Sequence, residues 1–191
     1  MREVIAAIRA DRRRLEAMGA SRSEIWASQG MWAMFQYRVA HHLRRRYPRS
    51  VLIRAASLLS RKMVEVACGI SLPPSARIGT GLYIGHFGAI IVSGQAVIGE
   101  GCNISQGVTI GVSGTGDRRG APTIGDHVYI GAGAKVIGPI TVGDFVTIGA
   151  NAVVTRDIPD GAIVAGVPAE ILRIDPAVAA ELTFARGSGA G

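Results

Sequence analysis

The sequence predicts a mainly β protein: a parallel β-solenoid of about four coils, preceded by an α-helical region. Three observations predict this fold class: a six-residue repeat of aliphatic side chains, a high glycine content, and an abrupt change of composition near residue 70. Glycine accounts for 26 of the 191 residues, about twice its usual share, while aromatic residues make up only 5%. A core with few rings and many glycines is expected to consist of small repeating units.

The chain divides into two parts of opposite net charge. Residues 1–70 contain 14 of the 21 basic and 5 of the 14 acidic residues, a net charge of +9, whereas residues 71–191 carry −2. Only three of the 26 glycines precede residue 71. We therefore expect a helical N-terminal region at 1–70, the solenoid domain at 71–174 and a C-terminal tail at 175–191. Pro73 and Pro74 should break any helix at the first boundary.

Three apolar stretches at helical spacing lie in the N-terminal region. The first covers residues 4–15, and the second covers 25–35 after Ser21 or Ser23, either of which could cap a helix. The third covers residues 51–66 and is interrupted by basic residues. Because of this interruption, we expect an amphipathic helix here rather than a membrane span.

Aliphatic residues recur every six positions in the second part of the chain. They form three blocks: Ile78, Ile84, Ile90; Ile98, Ile104, Ile110; and Ile124, Ile130, Val136, Val142, Ile148, Val154. This period suits a solenoid in which each hexapeptide forms one face of a coil and points its aliphatic side chain inward. Glycine often follows, where positive φ or tight packing would favour it. A β-sandwich is the alternative, but the unbroken register of the third block argues against it.

The two cysteines and the hydropathy of the sequence indicate the cellular compartment of the protein. Cys68 and Cys102 have no metal-binding spacing and are expected to be free, buried thiols, as is typical of a reducing environment. No apolar run reaches the roughly 18 residues that a membrane span needs. The N-terminus lacks the uninterrupted apolar core of a secretory signal. We expect a cytoplasmic protein without a metal.

Four segments of the sequence resemble the hexapeptide-repeat acyltransferases, and most closely their serine acetyltransferase branch. These are SLPPSARIGTGLYIGHFG, QAVIGEGCNISQGVTIG, GDHVYIGAGAKVIG and AGVPAEIL. The resemblance covers residues 71–174, with a weaker match at 37–41. It implies a left-handed parallel β-helix and a homotrimer that binds acetyl-CoA between neighbouring subunits. It also implies direct acetyl transfer, without a metal or a covalent enzyme intermediate.

His86 is the candidate general base. Acetyl transfer to a hydroxyl needs a group that accepts the hydroxyl proton, donors for the developing oxyanion, and a fixed approach of the two reactants. His41 and His42 lie in the helical region, and His127 follows Asp126 at an expected solvated corner. His86 lies in the segment GHFG and matches the catalytic histidine of the serine acetyltransferase branch.

The acceptor side departs from that branch at three positions. The resemblance puts Ser71 where an aspartate orients the histidine, Gly85 where a second aspartate holds the amino-acid substrate, and Ala121 where a loop histidine stands. A buried ammonium ion without a counter-charge is costly. We therefore expect a neutral acceptor, a sugar hydroxyl in exopolysaccharide or surface-glycan synthesis. Gln106 is a further candidate for contact with the substrate.

Small and basic residues are candidates for binding CoA. The resemblance assigns CoA contacts to Ser113, Ala132 and Ala150, where small side chains would admit the pantetheine arm. The basic residues that could meet its phosphates are Lys135, Arg156 and Arg173.

The loop between Ile110 and Ile124 is eight residues longer than a normal repeat. Such an excursion from a regular solenoid is expected to form a wall of the active site. Its candidate residues are Asp117, Arg118 and Arg119.

The basic runs at residues 12–14 and 44–46 admit several interpretations. They could form a solvated helical face. They could also contact an anionic lipid or a polyanionic glycan, at a polysaccharide assembly on the inner surface of a membrane, since Trp26, Trp32 and Phe35 lie nearby. No nucleic-acid-binding motif is present, so we expect no nucleic-acid partner.

Two alternatives to the sugar O-acetyltransferase remain. The first is a true serine O-acetyltransferase of cysteine biosynthesis, in which another residue replaces the lost aspartates. The second is a non-catalytic trimeric β-helix that serves as a scaffold, which Ser71 and Ala121 favour and His86 opposes.

Overall fold

The N-terminal part of the computed structural model, which describes residues 2–176, is helical. Its helices are α1 (Arg2–Ala17), α2 (Arg22–Ala27), α3 (Gln29–Arg46) and α4 (Val51–Cys68). None of these helices combines the length and the apolarity needed to cross a bilayer. Most of the expected tail, from residue 177 onward, lies outside the described residues.

The second apolar stretch, which we expected to form one helix, forms two. Ser28 ends α2 and caps α3, because its Oγ accepts a hydrogen bond from the N–H of Met31 at 3.3 Å. Ser21 rather than Ser23 caps α2, in a capping box with Glu24.

Short strands follow from Ile70 onward and form three sheets. The strands are β1 (Ile70–Ser71), β2 (Arg77–Ile78), β3 (Ile90–Val92), β4 (Val97–Ile98), β5 (Asn103–Ile104), β6 (Thr109–Gly111), β7 (Thr123–Ile124), β8 (Tyr129–Ile130), β9 (Lys135–Ile137), β10 (Thr141–Val142), β11 (Thr147–Ile148), β12 (Val153–Val154), β13 (Ala162–Ala165) and β14 (Glu170–Ile174). Sheet A has the order β1-β3-β6-β9-β12, sheet B β2-β4-β7-β10, and sheet C β5-β8-β11-β13-β14. The pairing is parallel throughout, except between β13 and β14. The sheets therefore form the three faces of a β-helix, as predicted.

The strand register confirms that three hexapeptides make one coil. Ile124 pairs with Val142, which lies 18 residues further on. Ile98 pairs with Ile124, which lies 26 residues further on. The difference equals the eight extra residues of the 110–124 loop, so this excursion leaves the register of the coils intact.

The interior contains two rows of side chains on each face. The aliphatic residues of the six-residue repeat form the first row and are buried. The second row lies two residues earlier in each repeat and consists mostly of smaller residues, with Leu82 and Ile140 as exceptions. The sequence analysis did not identify this row. Its members include Ala76, Ala96, Cys102, Val108, Val128, Ala134, Val146 and Ala152.

Close packing, not backbone conformation, requires glycine after the inward residue. A Cβ on Gly79 would lie 2.6 Å from the carbonyl carbon of Gly99 in the next coil, and a Cβ on Gly131 would lie 2.7 Å from the nitrogen of Ala150. Neither glycine has a positive φ; the left-handed residues of these corners, such as Gly133, lie two positions later.

A buried ion pair fastens the helices to the first coil. Arg38 donates from Nε and Nη2 to the carboxylate of Asp11, at 2.9 and 3.0 Å, and from Nη1 to the carbonyl of Ile78 at 2.7 Å. Asp11 in turn accepts from the backbone N–H groups of Gly81 and Leu82, at 2.9 and 3.2 Å. Because Asp11 of α1 and Arg38 of α3 both bind the backbone of the first coil, this network holds the two helices against the N-terminal end of the β-helix.

Candidate active site

One corner of the β-helix, between sheet C and sheet A, carries four of the predicted site residues. Tyr83, Asn103, Tyr129 and Thr147 pair in register in four successive coils. Three residues further along each coil lie His86, Gln106, Ala132 and Ala150. These four residues therefore follow one another along a single edge, one per coil, and we call it the His86 edge.

His86 lies in the first coil, in a segment that is hydrogen-bonded to the C-terminal end of α4. The N–H of Gly88 donates to the carbonyl of Cys68 at 3.0 Å, and the N–H of Ile90 donates to the carbonyl of Gly69 at 3.0 Å. Gly69 ends α4 in the left-handed conformation. The segment is thus fixed on one side by the helix, while the imidazole is exposed to solvent and can meet a substrate hydroxyl.

Tyr83 occupies the space beside Gly85. A Cβ on Gly85 would lie 2.6 Å from the phenol oxygen of Tyr83. The half-buried phenol therefore stands where the serine acetyltransferase branch is expected to carry the carboxylate that precedes the histidine. The sequence analysis did not identify Tyr83 as a site residue. The only feature of the sequence that points to it is its position three residues before His86.

The carboxylate of Glu65 lies beside Ser71, a position for which the sequence predicted no carboxylate. The hydroxyl of Ser71 donates to Glu65 Oε1 at 2.6 Å. Glu65, in the last turn of α4, also accepts from Lys62 Nζ at 2.6 Å and lies 3.4 Å from Arg61 Nη1. Burial alone would raise the pKa of Glu65, but the hydrogen bonds from Lys62 and Ser71 and the charge of Arg61 hold that pKa below its usual value. Glu65 thus brings a carboxylate to Ser71 that the residue type at position 71 did not predict.

No sequence pattern connects Glu65 with Ser71. Glu65 lies on a helix and Ser71 on a strand, six residues apart, and the left-handed turn at Gly69 brings their side chains together. A serine after a helix that ends in glycine is the only hint that the sequence offers.

The loop at residues 111–122 leaves the β-helix from another corner, between β6 of sheet A and β7 of sheet B. Ser113 and Gly120 exchange two backbone hydrogen bonds, of 3.1 and 3.0 Å, and so close the base of the loop. The exposed tip contains a short 3₁₀ helix, Gly116–Arg118. Its predicted site residues are Asp117, Arg118 and Arg119. Within one chain, neither these residues nor Ser113 are brought to the His86 edge.

Of the three basic candidates, only Lys135 lies against the His86 edge. Its Nζ donates to the carbonyl of Gly107 at 2.5 Å, next to Gln106. Arg156 is exposed after β12, and Arg173 is exposed on β14. Residues 2–176 contain no cluster of three or more side chains suited to hold a metal ion.

Comparison with known proteins supports the family suggested by the motifs. A family model described as bacterial transferase hexapeptide (six repeats) matches residues 121–156. The serine acetyltransferase of Mycobacterium tuberculosis is 39% identical over 165 residues, which cover 86% of this chain and 70% of that protein.

Solved structures of serine acetyltransferases have the same fold. That of Neisseria gonorrhoeae in complex with serine matches with a TM-score of 0.79 and 28% identity, over 90% of this chain and 69% of that chain. A serine acetyltransferase in complex with CoA matches with a TM-score of 0.75 and 32% identity, over 88% of this chain and 69% of that chain. The predicted left-handed parallel β-helix is confirmed, and this chain belongs to the serine acetyltransferase branch of the hexapeptide-repeat acyltransferases.

Proposed function

We propose that this protein transfers the acetyl group of acetyl-CoA to the hydroxyl of L-serine. The observation that carries the catalytic part is the His86 edge, which aligns an exposed imidazole with the small residues Ala132 and Ala150. The similarity to serine acetyltransferases over most of the chain supports serine better than the sugar that we expected from the sequence. It also favours an enzyme over a scaffold.

His86 acts as the general base. Its imidazole takes the proton of the acceptor hydroxyl while that oxygen attacks the carbonyl carbon of the thioester. A C–O bond forms and the C–S bond breaks, and the proton then passes from the imidazole to the departing sulfur. His86 thus returns to its starting state, and the products are the O-acetyl ester and the CoA thiol.

The small corner residues suit the binding of acetyl-CoA. Ala132 and Ala150 add only a methyl group to the His86 edge, so an extended pantetheine arm can lie close to the coils. Lys135 lies next to this edge and brings a positive charge toward the phosphates. Arg156, which follows β12, and Arg173, on β14, are exposed and are the other two basic candidates.

Ser71 and Glu65 take over the part of the orienting aspartate. Because the Ser71 hydroxyl donates to Glu65 Oε1, its remaining lone pairs are free to accept an N–H of His86. The negative charge of Glu65 favours the imidazolium that forms during the reaction. Both are positioning residues, which act on the reaction through His86.

A neutral hydroxyl acceptor, a sugar, is the second candidate. The observation that favours it is Tyr83, whose phenol fills the space beside Gly85. A phenol can hydrogen-bond a sugar hydroxyl, but it supplies no counter-charge for the ammonium group of serine.

We further propose that the active unit is a homotrimer. The His86 edge and the 111–122 loop lie on different corners of one chain, so a site built from both needs two neighbouring chains. The mass of the protein in solution, measured by light scattering after size exclusion, should be three times that of the chain. A monomer that is fully active would overturn this arrangement.

The acceptor is tested by thiol release from acetyl-CoA, with product masses measured in parallel. L-Serine is compared with O-methyl-L-serine, which lacks the hydroxyl, with N-acetyl-L-serine, which lacks the ammonium, and with a panel of neutral sugars. Release with L-serine alone supports the proposal. Release with sugars but not with serine would establish the second candidate. No release with any acceptor, together with no binding of CoA, would overturn both.

A further inference from the structure

The outward face of α4 is a stripe of aliphatic side chains. The helix packs inward through Ile53, Ser57, Val64 and Cys68, which are half-buried or buried. Its opposite side carries Leu52 (83% exposed), Leu59 (65%), Met63 (66%) and Val66 (88%). Their spacing of seven, four and three residues puts them on one side of the helix. A contiguous exposed apolar surface of this kind marks a site of interaction.

An apolar groove beside α4 extends this surface. It has a volume of about 640 Å³ and includes Met63 of α4 in its lining. Its other side carries Trp26 and Phe35, which are exposed, and Trp32, whose indole N–H donates to the carbonyl of Trp26 at 2.8 Å. Tryptophan side chains are enriched at membrane–water interfaces, where an apolar ring and a polar N–H are both accommodated.

The charge around this surface is predominantly positive. Residues 24–66 contain two acidic residues, Glu24 and Glu65, and Glu65 is paired with Arg61 and Lys62. Their eight basic residues are Arg38, Arg44, Arg45, Arg46, Arg49, Arg54, Arg61 and Lys62. Arg38 is bound to Asp11, but Arg45, Arg46, Arg49 and Arg54 are exposed. Arg45 and Arg46 lie in the last turn of α3 and Arg49 in the turn before α4, next to the end of α4 that carries Leu52, whereas Arg54 projects from another side of α4.

We propose that the α4 face, formed by Leu52, Leu59, Met63 and Val66 with the flanking arginines, binds the surface of an anionic lipid bilayer. The aliphatic side chains enter the boundary between head groups and acyl chains, while the arginines meet the lipid phosphates. The helix lies in the plane of the interface and does not cross the bilayer. This inference concerns a surface that the proposed reaction does not use.

Charge complementarity favours a lipid over a second copy of the chain. Two copies that met through the same face would bring the exposed arginines of both together, because the one carboxylate on α4, that of Glu65, is already paired with Lys62 and Arg61 of its own helix. Like charges at such a contact are repulsive. An anionic bilayer supplies both the apolar phase and the opposite charge that this face lacks.

The test is flotation of the full chain with vesicles of phosphatidylcholine and phosphatidylglycerol, compared with vesicles of phosphatidylcholine alone. We expect binding to the anionic vesicles to be at least about tenfold tighter, and to weaken at high salt. Leu59→Asp should reduce it by about tenfold or more. The matched control is Leu172→Asp on β14, where the leucine is equally exposed (66%), and it should bind as the unaltered chain does.

A second variant keeps the membrane proposal testable if the Leu59→Asp protein does not fold. Replacement of Arg45, Arg46 and Arg49 by glutamine changes only exposed side chains and should also weaken binding. Thiol release from acetyl-CoA reports separately on the proposed reaction, so the two proposals can fail independently. Equal binding to both vesicle types, or no binding, would overturn the membrane proposal. A fall in solution mass for Leu59→Asp without lipid binding would instead make this face a contact between copies.

Discussion

The helical region and the β-helix are stabilised in different ways. In the β-helix, each coil repeats the contacts of the previous one, and an aliphatic residue every six positions is enough to define them. In the helical region, a few unique polar contacts fix the docking, above all the Asp11–Arg38 pair. Away from its closely packed glycines, the β-helix should therefore tolerate single changes that the junction does not.

The candidate active site lies where these two regions meet. In the proposed site, the β-helix contributes His86 through the register of its coils, and α4 contributes Glu65 through the turn at Gly69. If this division is right, changes on the coil should abolish chemistry without unfolding the protein. Changes at the junction between the helices and the first coil should lower the free energy of unfolding or lower the rate of acetyl transfer partially.

The largest effect is expected from His86→Ala. Loss of a general base typically lowers the rate by about 100- to 10,000-fold, and the exposed side chain contributes little to packing. Steady-state thiol release should fall accordingly, while the melting temperature stays the same. The control is His127→Ala at another corner, where the imidazole stacks on Phe145 at 4.8 Å and takes no part in the proposed reaction. Retained activity in His86→Ala would refute its assignment as the base.

Asp11→Ala should have the largest effect on stability. It leaves the buried Arg38 without its counter-charge, and it removes the acceptor for the N–H groups of Gly81 and Leu82. Breaking a buried ion pair in this way costs about 3–5 kcal/mol. Urea unfolding should measure that loss. Glu16→Ala, on the same helix but exposed, should change stability by less than about 0.5 kcal/mol. Equal effects of the two variants would mean that the junction does not depend on this pair.

A smaller effect on the rate is expected from Glu65→Gln. This variant tests whether the carboxylate on α4 assists the reaction at His86 through Ser71. The variant keeps the shape but removes the charge, so we expect kcat to fall by about tenfold with little change in the KM for acetyl-CoA. Ser71→Asp added to Glu65→Gln should restore part of the rate, because it returns a carboxylate to the coil. Glu170→Gln on the exposed strand β14 is the control.

The pH dependence of stability gives a second measure of Glu65. Its pKa is lower in the folded chain, so ionised Glu65 stabilises the fold above the ordinary carboxyl range. This contribution is lost as the pH falls through the pKa of the folded state. Glu65→Gln should therefore lower stability at neutral pH and have a smaller effect in acid. A constant difference at all pH values would contradict this role.

The sequence predicted the features that repeat and missed those that occur once. The period of six gave the coils, their inward residues and the looping out of the 110–124 segment, because each of these follows from a pattern. The row that includes Cys102 was missed, since small residues carry a weak signal. Tyr83 and Glu65 were missed because their positions depend on a close approach to Gly85 and on the turn at Gly69, which no local pattern encodes. The same holds for Asp11, which looks like an ordinary charge on an amphipathic helix.

The smallest expected effect concerns the cysteines, and it compares the two regions directly. Burial raises the pKa of Cys102, inside the β-helix, to about 11, and it also raises the pKa of Cys68 at the end of α4. At pH 8 about one Cys102 thiol in a thousand is then ionised, so it should not react with Ellman's reagent in the folded protein. In denaturant both thiols should react. Thr155→Cys, at an exposed position, should add one fast-reacting thiol. Because Cys68 lies at the junction with the helices, local opening there should make it react before Cys102; the reverse order would mean that the coils open more readily than the helix end.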